Sequence, residues 1–512
     1  MRSTMITIHL DGERVDVSEG STLGSLFRFG PGISVGIIRP STQEQAKTGN
    51  FTISTTAGEV VIEITGQNAD LLESPEIVQK LSLHWGDRYT AAFGPFPSSI
   101  HPSRKPYLYE RGDVVLGCGG YEPARSYLIF SKIRHSADHG ADEQGGIFGK
   151  VISGRAVLDR WTTGDRVTRI EPVVSWADTS RSFTTTDMSL IVEDGMRIIT
   201  HVNVIAQGYS PERITTEAAG SVEHMLLALQ SGKFMVSRAT STHILDSRLA
   251  GTAGIETEFR HPRREGTVTV RTSGQLEGGI YIYRDDVPSS LVHNVTGHVV
   301  HGIELVKLAH EHDVLAISVL PQRIDLLGKS LVRAKEISTE RGILINIDTD
   351  EGGRIVVSQE PGNTLDILKE GAVSVTTAPL GKVIDIRLDD EKAPISCDIF
   401  RRLTGLKEHD AGMIPVFFKF DDVVLFRSPI PPGIKINPEN TPKDEVPAAS
   451  LAITNDSRKG SGIVGVRLSA NKEFGPTSEP FEGTNLIGHV IDTDKLKNVK
   501  EREKMYIREV KR

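Results

Sequence analysis

The chain has 512 residues, of which 38% are hydrophobic, 25% charged and 6% aromatic, with a formal net charge of −8. That length exceeds what one core supports and predicts several domains of about 100–150 residues each, while the acidic balance disfavours a general nucleic-acid surface. Two cysteines, Cys118 and Cys397, make neither a disulfide framework nor a four-thiolate metal site and fit a reducing cytoplasm. The 49 glycines and 25 prolines predict many turns and a mostly β chain with some helix. The start, "MRSTMITIHLDGERV", alternates and so reads as neither a signal peptide nor an anchor. No segment approaches the ~18 apolar residues of a membrane span, and a soluble cytoplasmic protein is expected.

Residues 5–27, "MITIHLDGERVDVSEGSTLGSLF", alternate over two strands joined by Asp11-Gly12, a hairpin signal. Ser21 or Thr22 then caps a short helix. The pattern resembles a β-grasp of the ubiquitin and sulfur-carrier kind. Those carriers end in a free glycine pair, whereas this chain continues, so carrier chemistry is not expected. "VVIEITG" with "SPEIVQKLS" (60–82) reads as strand and helix. "LGCGGYEPARSYLIF" (116–130) is glycine-rich but has no Lys-Ser/Thr and no following helix, which excludes a phosphate loop; Cys118 there reads as a buried small side chain.

"RHSADHGADE" (134–143) sets His135 and His139 four apart, with Asp138, Asp142 and Glu143 nearby. On a helix both imidazoles would share one face, as metal ligation needs. Gly140 and the run of small polar residues favour a solvated loop instead, so no metal site is expected; His135, Asp138 and His139 are the candidates should one form. His293, His298, His301, His310 and His312 have spacings that suit no standard ligand set and read as scattered surface histidines.

One unit recurs three times, at "GGIFGKVISGRAVLDRWTTGDRV" (145–167), "VTGHVVHGIELVKLAHEHDVL" (295–315) and "LIGHVIDTDKLKNVKEREKMYI" (486–507). Aligning Gly149, Gly297 and Gly488 aligns Val151, Val299 and Val490, then Val157, Leu305 and Leu496. Gly154 and Gly302 match, with Thr493 in the third copy; Asp165 and Asp313 match, with Lys504 in the third. The spacing predicts a strand, a glycine allowing positive φ as the chain leaves the sheet, a short helical turn and a closing strand. The copies lie too far apart for a solenoid and mark three similar domains.

The unit resembles the closing segment of cyclophilins, which implies eight-stranded barrels. "AAGSVEHMLLALQSGKFMVSRATSTHI" (218–244) looks like the plugging helix and next strand, with Val222, Met225, Leu226 and Leu229 forming an amphipathic stripe. "KVIDIRLDDEKAPISCDIFRRLTG" (382–405) looks like an opening strand and plugging helix, which makes Cys397 a core residue. "GIVGVRLSANKEFGPTSEPFEGTNLIGHV" (462–490) is similar to small prokaryotic cyclophilin-like barrels that lack the isomerase motif. A proline isomerase needs an arginine and a Phe-x-x-Gln-Gly-Gly strand. Arg238 lies near the expected strand but no such strand follows it, and Gln144-Gly145-Gly146 stands beside a closing strand instead. Residues 321–375, with a Gly-Lys-Ser helix start, Ala334 and Gly342, resemble a PASTA module, which implies a spacer or ligand sensor.

The expected organisation is a mostly β chain with α+β parts: a β-grasp at 1–57, cyclophilin-like barrels at 58–175, 176–320 and 379–512, and a PASTA-like module at 321–378. Pro-rich segments at 97–106 and 428–447 interrupt the first and third barrels. Catalytic triads, nucleotide fingerprints and paired catalytic carboxylates are not found, so no catalytic residue and no cofactor is expected. A binding scaffold is favoured over a peptidyl-prolyl isomerase or a cyclophilin-type peptide-binding chaperone. End to end, the order of domains, with "VDVSEGSTLG", "VGIIRP", "GDRVTRIEPVVSW", "RIDLLGKSLVRAKE", "SQEPGNTLDILKEG" and "FGPTSEPFEGTNLIGHVID", is similar to the archaeal methanogenesis marker protein 3 family. The resemblance implies an accessory subunit in ATP-dependent reductive activation of methyl-coenzyme M reductase. Its implied partners are that enzyme and its activation-complex proteins, with no nucleic acid and no membrane.

Overall fold

A computed structural model describes residues 5–510 apart from 29, 31, 40–46, 66–71, 73, 99, 101–102, 119–124, 141–144, 175–181, 211, 252–253, 421, 429, 431–433 and 458–461. The chain packs as two compact units, Met1–Gln322 and Arg323–Arg512. Among the described residues no helix is long and apolar enough to cross a membrane.

In the first unit the hairpin Met5–Leu10 and Glu13–Ser18 forms around Asp11-Gly12, both at positive φ. It continues into the turn Leu23–Leu26, where the Ser25 hydroxyl accepts the Thr22 N–H at 3.1 Å. A two-stranded ribbon is marginal alone. Here Arg197–Ile199 adds parallel to Met5–Leu10, and Val35–Ile38 and Phe183–Thr185 complete a five-stranded sheet. Ile8, Val17, Leu23, Val35, Ile37, Val192, Met196 and Ile198 form its core. This differs from the boundaries expected at 57 and 176. Lys47–Thr55 leaves for the next sheet, and residues 183–199 return to the first, because the hairpin's apolar face needs further strands to cover its edge.

The second sheet has eight strands in the order Val167–Val174, Lys47–Thr55, Gly58–Ile64, Ile147–Ser153, Asp113–Cys118, Ser126–Ser131, Thr90–Phe96, Leu83–Gly86. It curls until its ends touch: Leu83 N–H donates to Asp165 O at 2.7 Å and Val167 N–H to Leu81 O at 2.8 Å. The third sheet also has eight strands, and its edge strands Lys233–Met235 and Arg238–Ala239 are separated by Val236 and Ser237 alone, so the chain itself joins the edges. The helix Ala219–Leu229 buries Val222, Met225, Leu226 and Leu229 against it.

The second unit opens with a three-stranded sheet, Leu344–Ile347, Ala372–Pro379 and Arg354–Glu360, covered by helices Leu331–Arg341 and Thr364–Glu370. Ser330 caps the first helix by accepting the Arg333 N–H, and Gly342 ends it in the left-handed region. The rest is a closed barrel of seven strands in the order Val383–Leu388, Thr484–Val490, Ser450–Thr454, Ile463–Arg467, Val423–Arg427, Gly412–Phe420, Lys504–Glu509. Its interior is filled by Ile384, Ile386, Ile414, Val416, Val424, Phe426, Leu451, Ile453 and others, with Phe400 and Cys397 inserted from the helix Pro394–Thr404. The Cys397 thiol lies 3.3 Å from Ile487 O, and burial pushes it up to about 12.

The recurring unit has one structural cause in the two curled sheets and the closed barrel. A Cβ on Gly149, Gly297 or Gly488 would press into the carbonyl of Glu63, Ile205 or Arg387 on the neighbouring strand, so only glycine allows that approach. Gly154 and Gly302 have φ of 78° and 83° and start the turns Arg155–Leu158 and Ile303–Leu308. The third copy, with Thr493, forms a 3₁₀ turn Thr493–Leu496 instead, a tighter form that needs no left-handed residue. Val157, Leu305 and Leu496 are buried in each.

Candidate functional site

The C-terminal barrel carries an unusual outer wall. Along Gly412–Phe420, Ile414 and Val416 point into the core. Pairing with Val423–Arg427 then shifts register between Val416 and Phe418, so Phe417 is an extra residue with no counterpart. Such a bulge reverses the phase of side-chain alternation beyond it. Lys419, opposite Val424, takes the inward direction, while Phe418 and Phe420, opposite Leu425 and Val423, are turned outward. Phe417, Phe418 and Phe420 are 46%, 44% and 39% exposed, and Met413 on the same strand 40%. The rings of Phe418 and Phe420 lie 5.8 Å apart, and the Arg427 guanidinium sits 5.6 Å from the Phe417 centroid. Exposed aromatics grouped beside a cation are the composition of an interaction surface. The sequence carried one trace of this, the adjacent Phe417-Phe418 pair that breaks the alternation.

A cleft of about 1300 Å³ also lies in this unit, lined by Arg387, Asp389, Asp390, Arg401, His489, Arg508 and Glu509 among others. Most of its charges are already paired. Arg401 spans Asp390, at 2.7 Å, and Glu509, at 2.6 Å; those hydrogen bonds hold the guanidinium well above its ordinary value. Arg508 binds Asp385 at 2.8 Å. Arg387 stands opposite His489 across the strand pair, and among the described residues its buried Nε has no hydrogen-bond partner.

The candidate metal ligands fall in the first unit. His135–Ala137 is a strand, not a helix, paired with Tyr107–Tyr109 in the register His135↔Tyr109. That pairing stacks His139 on Tyr109 at 5.0 Å, with His135 5.4 Å from the same ring. Burial, with the neighbouring His135, pulls His139 down to about 4, so it is neutral at pH 7. Among the described residues neither buried Nε2 atom has a hydrogen-bond partner. Asp142, Glu143 and Gln144 lie outside the described residues. Among the described residues, three ligand atoms converge not at His135, Asp138 and His139 but at Asp11, His201 and His301.

Of the other histidines, His310 and His312 are exposed as the spacing suggested, but His293, His298 and His301 are not surface residues of a loop. His293–His301 is an interior strand of its sheet, flanked by Val202–Ala206 and Thr267–Arg271. His293 is accordingly 6% exposed. Arg238 is exposed on a two-residue strand of the third sheet, outside the unit that holds the closed barrel.

These features define a mostly β protein with two curled eight-stranded sheets and a closed seven-stranded barrel, the barrel lying in a cyclophilin-like domain. A family model described as "Putative peptidyl-prolyl cis-trans isomerase domain" matches residues 384–510. A UPF0288 protein of Methanosarcina barkeri is 37% identical over 100% of this chain and 99% of its own length. UPF0288 proteins of Methanothermobacter thermautotrophicus and Methanopyrus kandleri are 33% and 31% identical, over 99% and 98% of this chain and 98% and 99% of theirs. This chain belongs to the UPF0288 family, whose members here come from methanogenic archaea. A solved cyclophilin-type peptidyl-prolyl cis-trans isomerase from Cryptosporidium parvum is similar at 14% identity, over 25% of this chain and 98% of its own, with a TM-score of 0.18.

Proposed function

We propose that this chain is a non-catalytic accessory subunit, of the methanogenesis marker protein 3 kind, that holds methyl-coenzyme M reductase and its activating proteins together in the cytoplasm during ATP-dependent reductive activation. The observation that carries the reading is the bulge-driven aromatic wall of Phe417, Phe418 and Phe420 outside a barrel whose interior is filled by its own side chains. A barrel built this way spends its apolar residues on its core and on one external face, which suits docking. Relatives that span the full chain in methanogens support the setting. In the same reading the hairpin-led first sheet is a β-grasp and the module at 321–378 a PASTA-like spacer.

The test is capture of tagged protein from a methanogen lysate under anaerobic, low-salt conditions. Recovery of methyl-coenzyme M reductase with its activation proteins is expected, and recovery of none of them overturns the proposal. A second reading, a peptidyl-prolyl isomerase or peptide-binding chaperone, is favoured by the family model over residues 384–510. A protease-coupled prolyl peptide assay separates the two, because the scaffold reading expects no rate above the buffer control.

A further inference from the structure

Asp11, His201 and His301 come from three separate parts of the first unit. Asp11 occupies the hairpin turn at φ 49°, His201 the step between strands Arg197–Ile199 and Val202–Ala206, and His301 the end of His293–His301. Their meeting is enforced by the backbone. Asn203 pairs with His301 in the sheet. A Cβ at Gly302 would press into the His201 carbonyl, so the recurring glycine lets the two histidine-bearing segments close up. The rings then lie 4.9 Å apart. Thr200 fixes the carboxylate from the other side, its N–H donating to Asp11 Oδ1 at 2.7 Å and its hydroxyl to Oδ2.

The separations between the histidines and the carboxylate are wider than a close ion pair and leave room for a shared ion, although His201 Nδ1 also lies 2.9 Å from Thr200 Oγ1. His301 Nε2 lies 3.4 Å from Asp11 Oδ1, and His201 Nδ1 3.5 Å from Asp11 Oδ2. A charge-assisted N–H···O⁻ bond draws its atoms to about 2.7–2.9 Å. Ligands at about 2.0–2.1 Å from one tetrahedral ion stand about 3.3–3.4 Å from each other. All three ligand atoms lie within 4.8 Å of one another. The side chains of Asp11, His201 and His301 are 20%, 37% and 18% exposed, so solvent can reach the group and complete a coordination shell.

We propose that Asp11 Oδ, His201 Nδ1 and His301 Nε2 bind a divalent first-row transition cation, with water completing the shell, in a two-histidine, one-carboxylate set. Such a set suits zinc or iron(II). Asn203, whose amide lies 3.3 Å from His201 Nε2, orients the ligand ring. When the cation takes Nδ1, the ring proton moves to Nε2 and the amide turns over so that Oδ1 accepts it. The Ser318 hydroxyl, now donating to that oxygen at 2.7 Å, rotates to accept from the amide nitrogen. The bound ion ties the hairpin turn of the first sheet to the barrel at 202–320. The site is particular to that barrel, since Ser153 and Asp492 stand at the place of His301 in the other two copies.

The test is titration of chelator-stripped full-length protein with zinc(II), in parallel with cobalt(II) absorption. One ion per chain is expected, with a tetrahedral cobalt ligand-field spectrum and a zinc-dependent rise in thermal midpoint. His301→Gln and His201→Gln should each weaken zinc binding at least 10-fold and remove the cobalt spectrum. Asn203→Ala should weaken it about 10–100-fold, the range for groups that orient a ligand. Circular dichroism of each stripped variant shows that it is folded. Unchanged zinc affinity in folded His201 and His301 variants, or no zinc binding by the parent chain, overturns the proposal and leaves the group a hydrogen-bonded cluster.

Discussion

Acid should loosen the barrel that contains His293, and the size of the effect follows from its place in the sheet. His293 lies between two strands, its Nδ1 3.0 Å from Thr269 Oγ1 and its ring 4.7 Å from that of Tyr281. Burial first, then the charges of Arg263 and Arg271, lower its pKa from 6.5 to about 3. The folded barrel keeps this imidazole neutral while the unfolded chain takes up a proton below pH 6.5. Between those values the unfolded state binds more protons, so stability rises with pH. The contribution is fully present above about pH 6.5 and is lost as pH falls toward 3, at about 1.4 kcal/mol per unit. Between pH 6.5 and pH 4.5 the loss is about 2–3 kcal/mol. His293→Gln keeps a polar group beside Thr269 without a titrating proton. Its unfolding free energy, from urea titrations followed by near-ultraviolet circular dichroism, should fall about 2–3 kcal/mol less than that of the parent over that interval. In the parent, the His293 Cε1–H resonance, assigned by its disappearance in the variant, should not shift above pH 5. A resonance that titrates near pH 6.5, or two chains with equal pH slopes, would refute the reasoning.

Other consequences are equally direct. Phe418→Asp with Phe420→Asp places charges on an exposed face, so the thermal midpoint should hold while capture of the reductase and its activation proteins falls at least 10-fold; retained capture moves the docking surface elsewhere. Gly302→Ala forces a left-handed residue and a Cβ against the His201 carbonyl and should cost about 1–3 kcal/mol, with equal unfolding midpoints counting against it. Cys397, pushed up to about 12, and Cys118, raised by burial, should resist a thiol reagent at pH 8 until denaturant is added. Rapid native labelling would show that one of them is accessible.

The sequence by itself determined the local pieces, because their causes are local. Asp11-Gly12 makes a hairpin wherever it stands between alternating residues. The stripe of Val222, Met225, Leu226 and Leu229 makes a buried helix. The repeated glycines mark where one strand must pass close to its neighbour. The tertiary structure alone decided which strands share a sheet, since residues 183–199 join a hairpin far back in the chain through parallel pairing that leaves no mark in composition. It turned His135 into a strand residue facing Tyr109, because a four-residue spacing suggests a shared face only if the segment is helical. It rotated Phe418 and Phe420 outward through one unpaired residue, and it gathered Asp11, His201 and His301 from distant positions by strand register. Register sets which side chains meet, and it is a property of the folded sheet as a whole.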